Sequence, residues 1–257
     1  MRTTSSLITA LAITFSTFAA AGCATDGADD YSDTDDESSA PGSFDMWQAD
    51  DAQWHFHLVS GNGRILLASE AYATRAGAIN GILSTQSNGS DPGQYQLLAA
   101  EHGFLLHLLA QNTETIGFTQ VYSTKTSAYR AITSCVRAVT SYNAKLASIT
   151  TGARVTVTQG DSGQFHFNVY AKNGQIVLSS ETYTDVANAY NGAFSVQENG
   201  VATYAYEIKQ SAAGGYFFNL KAANGQIVGT SQQYTTAAGA QAGRDALVTL
   251  LPTIDIL

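Results

Sequence analysis

Cysteine, proline and charge are all scarce in this sequence. Two of its 257 residues are cysteine, three are proline, and 13% are charged. Two cysteines cannot build a disulfide-dense scaffold. Twelve Lys and Arg stand against 21 Asp and Glu, a formal net charge of −9. Nucleic-acid binding needs clustered bases, so this balance argues against such a partner. No apolar run reaches the ~20 residues that a membrane-spanning helix needs. The sequence also lacks a P-loop, a complete Gly-x-Gly-x-x-Gly, a His-Glu-x-x-His and a Cys-x-x-Cys. What it has in quantity is glycine (23 residues) and tyrosine (13), with much Ser and Thr, a composition that leans towards strands.

The charge is unevenly spread. Ten acids and no Lys or Arg fall within residues 24–51, while residues 52–257 carry eleven of each sign. The acidity therefore belongs to one segment and not to the globular part. Residues 24–42 hold almost no large apolar side chain, so they cannot offset the entropy of ordering. They read as a self-repelling tether. They lack the Asp-x-Asp-x-Asp-Gly order and distal Glu of a calcium-binding EF-hand loop.

Residues 1–22 read as an export signal: Arg2, then the apolar Leu7–Ala20, then small residues. Ala20-Ala21-Gly22-Cys23 resembles a bacterial lipobox, with Ala20 where Leu is usual. That resemblance implies acylation of Cys23, cleavage before it and stable membrane anchoring by several acyl chains. Ala24 after the cysteine favours the outer membrane. The other reading is cleavage after Ala21, which leaves a periplasmic or secreted protein.

Four segments of the rest align. Their anchor asparagines are Asn62, Asn112, Asn173 and Asn224, spaced by 50, 61 and 51 residues. Residues 54–89 match residues 165–200 at 17 of 36 positions. Each unit begins with a short apolar run (Phe44 to Trp47, Tyr95 to Leu98, Arg154 to Val157, Tyr204 to Ile208). An alternating run such as Trp54, Phe56, Leu58 follows, which reads as a half-buried strand. Asn-Gly comes next (Asn62-Gly63, Asn173-Gly174, Asn224-Gly225), which predicts a type I′ hairpin turn with two positive-φ residues. Asn112-Thr113 breaks that rule, because β-branched Thr disfavours positive φ, so a longer or different turn is expected there. Then come a strand ending in Ser or Thr, a motif tyrosine (Tyr72, Tyr122, Tyr183, Tyr234), an N-cap (Thr74, Thr124, Asp185, Thr236) and an Ala-rich helix. The unit is β-β-β-α, and the longer middle spacing predicts a linker at 141–151.

This combination resembles the YegP-like (UPF0339-type) bacterial family, a domain of unknown function. The resemblance covers nearly all of residues 43–250. It implies an α+β fold of two tandem modules, 43–140 and 152–257, each an antiparallel sheet with helices packed on one face. It brings no reaction, cofactor or catalytic residues. Thr113, Gln120 and Gln232 depart from the shared pattern.

The remaining residues offer little chemistry. Gly160-Asp161-Ser162-Gly163 looks like a serine-protease nucleophile motif but falls in a turn between two strands. His55 and His57 share one strand face, with His107 and His166 in related register, opposite Trp54 and Phe56. They are candidate metal ligands, although no Cys, Asp or Glu joins them at fixed spacing. The Ser-Glu-x-Tyr motif reads as structural, because a site is normally grafted onto a fold rather than built into each repeat. In that reading Ser ends the strand, Tyr is buried under the helix start, and Glu or Gln meets backbone donors. Cys135 reads as a buried, inert thiol. The expected role is non-enzymatic binding or structure at the envelope, with no cofactor. The expected partners are the membrane, and a protein or second copy met through sheet edges or exposed aromatics such as Phe217. A hydrolase of envelope polymers is the alternative, and needs a pocket with convergent titratable groups.

Overall fold

The computed structural model of the chain describes residues 40–256; the leader, Cys23 and most of the acidic tether lie outside them. The first module runs β1 (Ser43–Gln48), β2 (Trp54–Val59), β3 (Ile65–Ser69), α1 (Arg75–Asn88), β4 (Tyr95–Ala100), β5 (Gly103–Leu109), β6 (Thr115–Phe118) and α2 (Lys125–Ser148). The second repeats it: β7 (Arg154–Gln159), β8 (Phe165–Tyr170), β9 (Ile176–Ser179), α3 (Val186–Asn199), β10 (Tyr206–Gln210), β11 (Tyr216–Lys221), β12 (Ile227–Ser231) and α4 (Ala237–Leu250). Each module is one six-stranded antiparallel sheet, in the orders β1-β2-β3-β6-β5-β4 and β10-β11-β12-β9-β8-β7. The third strands of paired repeats meet in the middle, and the first strands form the edges. The α+β architecture of two tandem modules is thus the one the family resemblance implies.

Alternation decides which face is covered. Phe56 and Leu58 are fully buried in the first core with Leu106, Leu108, Ile82 and Ala128; Phe167, Val169, Phe218 and Leu220 do the same in the second. Each such side chain contributes about 1.5–3 kcal/mol of burial free energy. Every α-helix starts at its predicted cap. The Thr74, Thr124 and Thr236 hydroxyls accept from the Gly77, Ser127 and Gly239 amides at 3.0–3.1 Å, and Asp185 accepts from Ala187 at 2.8 Å. Each cap contributes about 1 kcal/mol.

Three expectations are corrected. First, Asn62 has no positive φ; only Gly63 does, at 85°. The Gly63 amide donates to Ser60 O at 2.9 Å and the ladder shifts between Leu58 and Val59. This is a type I turn closed by a glycine bulge, not a type I′ turn. The asparagine acts through its side chain: Asn62 Oδ1 accepts from the Arg64 amide, and Asn112, Asn173 and Asn224 repeat the bond two residues on at 3.0–3.2 Å. Second, Thr113 takes the same turn, with φ at 68° and its amide donating to Ala110 O at 2.9 Å. Fourfold closure of the unit overrides the local preference. Third, residues 141–148 are the last two turns of α2 and not a linker. Tyr142 is 2% exposed, meets Phe44 edge-on at 5.0 Å and pins the extension to β1. Two smaller differences are that β10 begins at Tyr206, since Thr203–Ala205 form a 3-10 turn, and that Phe217 is half-buried.

The two modules are joined through their helices, with α1 packed on α3. Arg75 at the start of α1 pairs with Glu198. Its guanidinium lies 4.9 Å from the Trp54 ring centre and 5.7 Å from that of Phe194. Lys145 reaches Asp255 at 3.3 Å. Among the described residues no helix is long and apolar enough to cross a membrane.

Candidate functional site

The regular motif residues have structural work. Ser69 Oγ accepts the Phe56 amide at 2.8 Å and donates to Glu70 O at 2.7 Å. Thr119, Ser180 and Ser231 do the same for Leu106, Phe167 and Phe218, at 2.9–3.0 Å. A hydroxyl thereby completes the ladder where the third strand turns away. Tyr72, Tyr183 and Tyr234 each pair through the backbone with the first residue of the second strand and stack on Phe56, Phe167 or Phe218 at 6.1–6.3 Å. Burial pushes the Tyr72 hydroxyl up to about 12, with Glu70 adding to it. Glu70 itself is exposed. Burial and then Glu114 raise its carboxyl above the ordinary range. Gly160–Gly163 is the β7–β8 turn, with Gly163 at φ 80°. Cys135 is fully buried.

What remains for contact is the face of each sheet turned away from the helices. Directly opposed residues define one row across the first sheet: Asp45, His57, Ala68, Phe118, His107 and Gln96. Cross-strand partners share a face, and this row alternates with buried Phe56 and Leu58. Trp47, opposite His55 in register, stands 5.6 Å from the His55 ring and 4.5 Å from the His57 ring. Phe118 lies 6.4 Å from His107. Trp47 is 37% exposed and Phe118 41%. Desolvation holds His57 below the ordinary imidazole range; Asp45 opposes it and His55 adds to it. His107 is lowered by desolvation as well. Both imidazoles are therefore neutral at neutral pH.

The same row of the second sheet has different chemistry: Thr156, Asn168, Ser179, Thr230, Asn219 and Glu207. Ser179 donates to Asn168 Oδ1 at 2.7 Å and Thr230 to Asn219 Oδ1 at 3.0 Å. Glu207 pairs with Lys221 at 2.8 Å and Lys209 at 3.4 Å. Five of these six side chains are thus bonded within that face. The matching row of the first sheet carries the rings of His57, Phe118 and His107 instead.

The predicted pair His55 and His57 thus sits on the open first face, beside Asp45. Among the described residues no three His, Cys, Asp or Glu side chains are grouped to hold a metal ion. A groove of about 570 Å³ beside Ser179, Thr230 and Ser231 has Tyr170 as its one titratable lining residue. Trp47 and Phe118 escaped the sequence reading. Trp47 lay in a run assigned to a strand, but which face it shared, and with which histidines, depends on pairing that spans the repeat.

A family described as a domain of unknown function, DUF1508, matches residues 49–95, 161–207 and 211–246, a little over half of the chain. The second repeat, the most diverged, is left out apart from its first residue. The UPF0339 protein PA0329 of Pseudomonas aeruginosa is 44% identical over 91 residues, 35% of this chain and 83% of that protein. The UPF0339 protein YegP of Yersinia pestis is 41% identical over 87 residues, 34% and 78% of the two chains. A solution structure of the protein of unknown function yegP from E. coli is 35% identical and covers 40% of this chain and 90% of that one, at a TM-score of 0.37. Another, of the UPF0339 protein SO3888 from Shewanella oneidensis, is 34% identical, covering 41% and 91%, at 0.38. The two sequence relatives are spanned over most of their length, yet each matches about a third of this chain, as expected where a module is repeated. With its repeats, the match of the family model over half of its length and its sequence relatives, the chain belongs to the DUF1508 family of domains of unknown function.

Proposed function

We propose that this protein is a lipid-anchored component of the cell envelope whose first module binds a partner, without covalent chemistry, on its open sheet face. The observation that carries this reading is the ring-rich patch of Trp47, His55, His57 and Phe118, set against a second sheet whose equivalent row is closed by amide–hydroxyl bonds. Exposed tryptophan and phenylalanine supply contact area at little entropic cost. The imidazoles, Asp45 and Gln96 supply polar contacts between them. The edge strands β1 and β4 flank the patch and offer backbone pairing to the same partner.

Export and anchoring rest on Arg2, Leu7–Ala20 and the Gly22-Cys23 pair, with the outer membrane favoured. The test has two arms. In cells, Cys23→Ser is expected to move the protein out of the membrane fraction; unchanged fractionation overturns the anchor. In envelope pull-downs, Trp47→Ser/Phe118→Ser is expected to lose the partners that the unaltered protein retains. Equal recovery by a folded double variant overturns the binding face.

A further inference from the structure

Among the described residues four strands stand at sheet edges: β1 and β4 in the first module, β7 and β10 in the second. β1 carries one acid, Asp45, and β7 one base, Arg154, while β4 carries no charge. β10 alone carries both signs, Glu207 and Lys209. Charge on an edge ordinarily wards off pairing with another chain. On β10 the spacing of the two charges reverses that effect for one partner, a second copy of the same strand.

Two like strands pairing antiparallel about a two-fold axis set each residue against the one equally far beyond the axis. The register that opposes all five residues of β10 is centred on Ile208. It sets Glu207 of each copy against Lys209 of the other, and does so twice. Opposed residues share a face, so this register also keeps the helices of both copies on one side. On β1 the registers nearest the strand centre set Asp45 against Asp45 or against Trp47, and no base is met. Within one chain Glu207 is held by Lys221 at 2.8 Å and by Lys209 at 3.4 Å, with all three side chains 39–44% exposed. Lys209 can therefore exchange its own Glu207 for that of the other copy while Lys221 stays in place.

The same register engages the most exposed large ring among the described residues. Tyr204 is 92% exposed and lies just ahead of β10. Residues just before β10 on one copy fall opposite residues just after it on the other, and those form the turn between β10 and β11. A groove of about 600 Å³ opens at that turn, lined by Ser211, Gly214, Gly215, Gln233 and Tyr234. Its glycines leave room for a ring, and its serine and glutamine offer polar partners to a phenol hydroxyl.

We infer that β10 is a contact between two copies of this chain. The second modules pair edge to edge about Ile208, with Glu207–Lys209 pairs across the seam and Tyr204 of each copy in the turn groove of the other. Charge complementarity selects the partner and the register together. The contact extends the sheet as the fold itself does, since β9 and β12 of the paired repeats already meet antiparallel there. The open face of the first module takes no part, so this contact does not depend on what that face binds. Five paired residues and one ring from each side fall short of the roughly 1,200 Å² of a stable interface, so the association is weak and depends on concentration.

Sedimentation of the detergent-solubilised full chain tests this by exchanging charges. The unaltered protein is expected to dimerise as its concentration rises, and several-fold less well when salt is raised from about 20 mM to about 0.5 M, because ions screen the attraction. Glu207→Lys alone and Lys209→Glu alone are each expected to stay monomeric, since like charges then oppose. An equal mixture of the two is expected to associate again, because each copy supplies the sign the other lacks, and that recovery also shows both variants to be folded. Tyr204→Ser is expected to weaken the dimer several-fold. An unaltered chain that stays monomeric, single variants that dimerise as well as it does, or a mixture no better than its components overturns the contact. A Tyr204→Ser dimer as tight as the original overturns the seating of the ring in the groove.

Discussion

Gly81 on α1 sits directly over the ring of Tyr72, so that a Cβ at Gly81 would stand 2.7 Å from Tyr72 Cζ and 2.7 Å from Phe56 Cε1. Gly192 stands in the same relation to Tyr183 and Phe167, and Gly243 to Tyr234. The glycine is there because helix and tyrosine approach too closely for a methyl group. Overpacking costs typically about 1–3 kcal/mol, and Ala recovers under about 1 kcal/mol of helix propensity. Gly81→Ala is therefore expected to lower the denaturant midpoint, and Gly192→Ala likewise. An unchanged or raised midpoint for both would show that the ring moves aside freely. Ala131 at the equivalent place in the second repeat, 1% exposed, shows that a local shift can make room.

Thr113 gives the opposite sign. A β-branched residue is held at φ 68° in a turn where the other three repeats place glycine at 80–85°. Thr113→Gly relieves strain of about 1 kcal/mol and is expected to raise the thermal midpoint by a few degrees. Gly63→Ala, with open space around it but φ at 85°, is expected to lower it.

The hydroxyl that ends the third strand is expected to be expensive to lose. Ser69→Ala leaves the buried Phe56 amide without its 2.8 Å acceptor, at a cost of about 1–3 kcal/mol. Ser69→Thr, the residue the second repeat uses at Thr119, is expected to restore most of it. Urea titration of the pair of variants separates a lost acceptor from a lost side chain.

Acid stability carries the signature of the open face. His57 and His107 are both held below their unfolded value, first of all by desolvation. The folded chain thus binds fewer protons than the unfolded chain once pH drops below about 6.5, so stability falls there, by at most about 1.4 kcal/mol per pH unit for each histidine. The penalty is complete below the folded values and absent above pH 7. His57→Gln is expected to flatten the fall in midpoint between pH 7 and 5, and Asp45→Asn to steepen it, because Asp45 favours the charged imidazole. Parallel profiles for all three proteins would contradict the placement of His57.

Much of this fold is legible in the sequence because its determinants are local and repeated four times. Thr74, Thr124, Asp185 and Thr236 mark helix starts by a side chain bonding its own next turn. The second strands show their buried face by alternation. Three features were not legible, each for a stated reason. The Asn-Gly turn and its Thr113 copy obey hairpin closure and a bulge, which single-residue preferences do not reveal. The α2 extension over 141–148 is held by Tyr142 against Phe44, a contact nearly a hundred residues apart in sequence. The module junction, with Arg75 between Trp54, Phe194 and Glu198, joins side chains from different repeats. The candidate face was half legible: His55 and His57 stood out by spacing, but Trp47 and Phe118 reached them only through strand pairing.

The protein has two tryptophans, and they sit at the two places that matter: Trp47 on the open face and Trp54 against Arg75 at the module junction. Full-length protein labelled with 5-fluorotryptophan gives one ¹⁹F resonance for each. Unlabelled, detergent-solubilised envelope material is then titrated in. Binding on the open face predicts that the Trp47 resonance shifts or broadens while that of Trp54 stays in place, and that Phe118→Ser abolishes the response. A Trp47 resonance that is unmoved at saturating envelope material would contradict the account.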